Sequence, residues 1–179
     1  MSKCVDPHTQ QRPTRGAGFK RRAFTLVELL VVIAIIGLLS TIAITSLSSA
    51  RRQSRNAKRI ADMKQLVTAF GLGLDANGSY PSTGGNIFKC ISSSCTGGWS
   101  GYPASGTVDT FFTPFITKPT DPDDKNSRGF GGYMYNGAAP AYGGYPIIEY
   151  LIEPPSSTCG VGDTTVVTTN YIQCDVKLF

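Results

Sequence analysis

An α+β fold, with a long amino-terminal α-helix packed on a small antiparallel β-sheet, follows from three features of the 179 residues. The first is an apolar run, FTLVELLVVIAIIGLL at residues 24–39, broken only by the charge of Glu28. The second is helical spacing: Ile60, Met63, Val67, Phe70 and Leu74 recur at intervals of three and four, which gives one apolar face with Asp62, Lys64 and Gln65 off it. The third is a shift in composition. Most of the 20 glycines and 11 prolines lie beyond residue 77, interleaved with Ser and Thr, a mixture that makes loops and short strands.

The apolar run continues through STIAITSLSSA to Ala50. Residues 24–50 rise about 40 Å as a helix, enough to cross a hydrocarbon core of roughly 30 Å. A simple signal anchor or a secretory signal peptide is the plain reading, and the basic prefix and the Ser48-Ser49-Ala50 exit favour it. The length of the run and the carboxylate near its start oppose it. A carboxylate in hydrocarbon needs a partner or a shallow position. Glu28 acquires one if the chain is cut just before Phe24, because the new ammonium group then lies about 6 Å away along the axis, on the same chain or a neighbour.

Lys20-Arg21-Arg22-Ala23 followed by Phe24-Thr25-Leu26-Val27-Glu28-Leu29-Leu30-Val31-Val32 resembles the processing site of type IV pilins and pseudopilins. The likeness is marked over residues 20–64 and weak beyond about residue 85. It implies that residues 1–23 are a leader, removed by a membrane aspartyl peptidase, the prepilin peptidase, at the Ala23–Phe24 bond. Phe24 then becomes N-methylphenylalanine. The likeness further implies that Glu28, the fifth mature residue, neutralises a neighbouring amino terminus during assembly, with Thr25 in the same junction segment. Ala23 departs from the glycine usual before the cut, and Thr45 from the helix-breaking proline of many pilins. The implied partners are copies of the chain in a helical homopolymer, the peptidase, an inner-membrane assembly platform and the membrane itself. The implied location is a single-pass precursor in the cytoplasmic membrane, then an extracellular filament at the cell surface.

Charge agrees with removal of the prefix. Residues 1–23 hold six Lys/Arg and one acid, for +5, and residues 24–179 hold eleven of each sign and balance. Topology is not decided by charge, since five basic residues flank the run on each side (Arg12, Arg15, Lys20, Arg21, Arg22 against Arg51, Arg52, Arg55, Lys58, Arg59). The processing motif, which the family presents to the cytoplasm, breaks the tie. Within the run, Ala34, Gly37, Thr41, Thr45 and Ser48 form a small-residue stripe that lets helices approach closely. The hydroxyls of Ser40, Ser46, Ser49 and Thr25 can bond back to carbonyls, and Gly37 weakens the helix, so local melting in a filament is expected between residues 37 and 45.

Residues 51–59, RRQSRNAKR, read as a solvated turn or headgroup anchor. No aromatic residue interleaves them, so nucleic acid is not the expected partner. One helix should run over residues 24–74, about 75 Å if straight, with residues 51–75 as its amphipathic continuation. Gly71 and Gly73 weaken its end, and Asp75-Ala76-Asn77-Gly78 stops it. Residues 76–179 form the loop-rich globular region, with strands expected at 131–136, 146–152, 171–178 and 164–168, and a long connection at 79–128.

Cys4 lies in the leader, which leaves four cysteines, an even number in an exported chain. Of three pairings, Cys90–Cys95 and Cys159–Cys174 close the smallest loops, and the second would staple the last strand. Zinc is the competing reading, but the spacings offer neither a histidine nor a tight CxxC. Asp121, Asp123, Asp124 and Asn126 form an oxygen-rich cluster. It reads first as a solvated acidic turn and second as a calcium loop, although Lys125 occupies a ligand place of the EF-hand pattern. No other cofactor is expected.

Nothing points to an enzyme. The one histidine, His8, is in the leader, and no activating base, phosphate loop or acid pair accompanies the many hydroxyls. The function expected is therefore structural: a subunit of a type IV pilus-like extracellular filament, polymerised through its amino-terminal helix. The alternatives are a pseudopilin of a type II secretion or competence system and a membrane-anchored monomeric binding domain.

Overall fold

The computed structural model describes residues 24–122, 129–154, 156 and 158–179. Helix α1 (Leu26–Asn77) begins two residues after Phe24 and is unbroken to the predicted stop. There the N–H of Gly78 bonds the carbonyl of Leu74 at 2.7 Å, with Gly78 at φ 76°, the left-handed exit that glycine enters without strain. The chain divides into two compact units, one up to Ile42 and one from Ala43 to Phe179. In the first, every described residue, 24–42, is exposed. By length and composition α1 can cross a membrane.

In the second unit α1 packs on a five-stranded antiparallel sheet of order β1-β4-β5-β7-β6: β1 (Lys89–Cys90), β4 (Met134–Ala139), β5 (Tyr145–Ile152), β6 (Asp163–Val167) and β7 (Ile172–Lys177). A two-stranded ribbon of β2 (Thr96–Gly97) and β3 (Phe130–Gly131) lies beside it in sequence. Three of the four expected strands appear within a residue or two of their expected ends. The expected strand at 131–136 is instead split: its start pairs in the ribbon, and the main strand runs on to Ala139.

Strand alternation decides which side chains meet the helix. Ile148, Tyr150 and Ile152 of β5 and Ile172, Cys174 and Val176 of β7 join Met63, Leu66, Ala69 and Phe70 of α1 in one core. The predicted apolar face of α1 is thus present but turned. Leu66 and Ala69 enter the core, Ile60, Val67 and Leu74 are half-buried, and Asp62, expected off the face, is buried.

The expected long connection at 79–128 contains β1, β2 and a second helix, α2 (Gly106–Phe112), which buries Val108, Phe111 and Phe112. Phe70 lies 5.3 Å from the Phe112 ring and 4.9 Å from the Tyr135 ring. Gly73, read from sequence as a weak point, has a packing reason: a Cβ there would stand 2.6 Å from the Phe111 ring. The two disulfides are Cys90–Cys95 and Cys159–Cys174. The second ties the segment before β6 to β7, and a loop of its length is worth about 3 kcal/mol through the unfolded chain.

Candidate functional site

At the start of α1, Thr25 stands as N-cap and Glu28 three residues on. The Thr25 hydroxyl accepts the Glu28 N–H at 3.2 Å, and the Glu28 carboxylate accepts the Thr25 N–H at 2.8 Å and the Thr25 O–H at 3.0 Å. This is a reciprocal capping box, Thr-x-x-Glu, which satisfies donors that a helix start leaves orphaned. The spacing was readable in the sequence as that motif. The expectation of Glu28 as an acid awaiting an amine therefore needs an addition: in the lone subunit the carboxylate already has a partner in its own chain. The box uses the N–H of Thr25, not that of Phe24, so it survives a cut at Ala23–Phe24. Ala23 itself lies outside the described residues.

Around this cap the helix is apolar and uncovered. Phe24 is 81% and Leu26 83% exposed, and exposure continues through Ile44 and Leu47. A patch of this extent is characteristic of a lipid or protein interface. Ser40 donates to the Ile36 carbonyl at 2.7 Å, the back-bonding expected of it; Thr41 does the same to the Leu38 carbonyl at 2.8 Å, whereas the Thr25 hydroxyl donates to Glu28 instead. Residues 37–45 are helical in the isolated chain. The melting expected there concerns the filament.

The basic run 51–59 is expected to be a solvated turn or headgroup anchor, and the structure corrects this at Arg55, Asn56 and Arg59. Arg59 is fully buried, with Nε 2.9 Å from Asp121 and Nη1 2.7 Å from Glu153. Arg55 makes a two-pronged pair with the same Glu153. Asn56 completes the clamp through its side-chain amide: its nitrogen donates to the Glu153 carbonyl at 2.7 Å and its oxygen accepts the Glu153 N–H at 2.9 Å. Burial tends to raise the pKa of Glu153, but Arg55 and Arg59 outweigh it and hold the carboxyl down at about 2. Beyond the clamp, Asp62 accepts from Tyr133 and from Lys58, both at 2.7 Å. Burial and then Asp62 push the Tyr133 phenol well above its ordinary range. Sequence reasoning missed this cluster because its members look like surface residues one at a time. The available signal was Asn56, Arg59 and Asp62 at helical spacing in line with the apolar face.

Of the acidic cluster, Asp121 is described; Asp123, Asp124 and Asn126 lie outside the described residues. Asp121 is buried and bonded to Arg59 and, at 2.9 Å, to the Gly132 N–H. It therefore serves as a counter-ion inside the fold, not as part of a solvated turn. Among the described residues, no three His, Cys, Asp or Glu side chains converge as metal ligands.

Residues 18–44 match the family described as the prokaryotic N-terminal methylation motif. The chain is 33% identical over 67 residues to the type II secretion system core protein G of Pectobacterium carotovorum, covering 37% of this chain and 43% of that protein. It is 26% identical over 115 residues to the core protein G of Vibrio cholerae, 64% of this chain and 61% of that one. Against that of Escherichia coli K12 it is 34% identical over 64 residues, 36% and 44%. The chain thus spans between 43% and 61% of the length of these curated relatives. No solved structure matches it significantly.

Proposed function

We propose that the chain is a structural filament subunit of the type IV pilin and pseudopilin kind, and among these a pseudopilin of a type II secretion system; the match of residues 18–44 to the N-terminal methylation motif and the likeness to core protein G support this. The family is structural and not enzymatic. The pseudopilin reading is favoured over a surface pilus by the relatives, which are named as core protein G of that system. The observation that carries the function is the pairing of a capped, single-carboxylate helix start with an apolar helix that stays exposed among the described residues.

The sequence of events follows from these residues. The precursor sits in the cytoplasmic membrane through residues 24–50. The peptidase cuts at Ala23–Phe24 and Phe24 is methylated. On leaving the bilayer, the apolar helix exchanges lipid for neighbouring copies, since close packing replaces lipid contacts without a large hydrophobic gain. Glu28 exchanges its own Thr25 N–H for the amino terminus of a neighbour. The sheet unit, whose core is complete without partners, forms the outside of the filament.

Mass spectrometry of the assembled protein tests the processing. The expected amino-terminal residue is N-methylphenylalanine at position 24. Assembled protein beginning at Met1 or at Arg51 overturns the reading. Shearing cells without detergent separates the alternatives: a surface pilus is released, a short secretion filament and a monomeric anchor are not, and cross-linking then distinguishes the last two.

A further inference from the structure

The clamp leaves a second basic feature unexplained. A polar cleft of about 230 Å³ is lined by Arg52, Arg55, Glu153, Pro154, Thr169 and Asn170. The acid in its wall is already neutralised, because Glu153 is held by both Arg55 and Arg59. Lys58 is committed to Asp62 and Arg59 is fully buried. Among the described residues Arg52 makes no hydrogen bond or ion pair, and it faces the cleft. Opposite it, the turn at 168–171 is folded on the Thr168 hydroxyl, which accepts the Asn170 N–H at 3.2 Å and the Tyr171 N–H at 2.9 Å. That turn brings the exposed Thr169 hydroxyl and Asn170 amide to the cleft. The lining thus offers one uncompensated guanidinium, one fixed guanidinium, a hydroxyl and an amide, the donor set of a phosphate site.

We propose that this cleft seats the phosphate of an anionic glycerophospholipid headgroup. The position selects lipid over a free anion. Arg52 is five residues beyond the exposed Leu47, about 7.5 Å along the helix, in the same compact unit. Acyl chains against Ile44 and Leu47 and a phosphate in the cleft therefore fit one lipid molecule. The inference rests on the reading of residues 24–50 as a membrane span. Its consequence is that a subunit entering a filament must release this headgroup, so anionic lipid holds the subunit at a fixed depth until assembly.

The test uses the full chain purified in mild detergent with equal amounts of phosphatidylglycerol and phosphatidylcholine, with retained lipid counted by native mass spectrometry. Phosphatidylglycerol should be retained in preference. Arg52→Gln should lower that retention about fivefold, the effect of one basic group at a lipid surface. Arg51→Gln, which removes the same charge one residue away and outside the cleft, should leave it unchanged, and excess inorganic phosphate should not displace the lipid. Equal losses in the two variants would show diffuse charge and overturn the site. So would the absence of a preference, or displacement by inorganic phosphate, which would make it a free-anion site. Unchanged melting of Arg52→Gln verifies folding. Carbonate extraction of membranes separates the two levels: a retained chain without Arg52 dependence overturns only this inference, and an extracted chain overturns the membrane span as well.

Discussion

Between Leu26 and Leu39 helix α1 exposes every large apolar side chain, from 83% at Leu26 to 47% at Val32, whereas between Met63 and Phe70 the same helix buries Met63, Leu66, Ala69 and Phe70 to 2% or less. Apolar content does not separate the two stretches; the presence of a covering element does. The sheet closes over the second stretch, and its aromatic rings and strand residues complete a core. Among the described residues, nothing closes over the first. The first stretch therefore presents an apolar surface suited to lipid or to another protein, and the second is buried within its own unit. Substitutions in the two regions should consequently have separate readouts, one in assembly and one in folding.

The largest expected effect is on assembly. Glu28→Leu should leave the chain inserted and its sheet unit melting at the wild-type temperature, while filaments fall to background in electron micrographs. Filaments at wild-type abundance would show that no amine depends on Glu28. A lowered melting temperature would break the separation of the two regions from the other side. Next in size is Arg59→Ala, which takes the buried guanidinium from Asp121 and leaves Glu153 with Arg55 alone. Removing one member of a buried ion pair costs about 3–5 kcal/mol. Denaturant unfolding of the membrane-reconstituted chain should show that loss in the sheet unit, with processing at Phe24 unaffected. A loss under about 1 kcal/mol, the size of a surface pair, would mean that the clamp is solvated after all.

How much of this was legible depended on whether a residue's role was local. The helix, its Gly78 exit and the disulfide pairs were readable because each is set by neighbours in sequence. The same holds for Glu28, whose three-residue spacing from Thr25 is a local capping signal, although the expected partner was an amine of the same chain or a neighbour. The clamp was not legible in this way. Arg59, Glu153 and Asp121 are brought together from three distant segments, and the charge of a basic run gives no sign of which members find counter-ions. Likewise α2 was lost in a Gly- and Ser-rich stretch, because the N-cap Ser105 makes no side-chain cap hydrogen bond and seven residues of GTVDTFF are too few to form a helix without packing against Phe70 and its neighbours.

The smallest expected effect sits on the sheet face away from the helix. Glu149 of β5 stands in register with Asp175 of β7, and both are buried. Tyr142 donates to one oxygen of Asp175, and the other oxygen has no partner among the described residues. The nearby Lys177 is directed elsewhere, to Asp163 at 3.5 Å and over the Tyr142 ring. Burial, and then the charge of Asp175, push the Glu149 carboxyl up to about 8 from its ordinary 4.5. Between those values the folded chain holds a proton that the unfolded chain has released, so stability falls as pH rises through the window, and the loss is complete above about 8. Glu153 acts in the opposite direction, stabilising above about 4.5 and losing that contribution as pH falls toward about 2. The wild-type unit should accordingly be most stable in mildly acidic solution. Glu149→Gln keeps the shape and abolishes the titration, so it should match the wild type near pH 5 and be the more stable of the two at pH 9. Denaturant unfolding at the two pH values measures the difference. If the variant and the wild type keep the same gap at both, Glu149 does not titrate in the folded sheet, and the alkaline weakness belongs to another group.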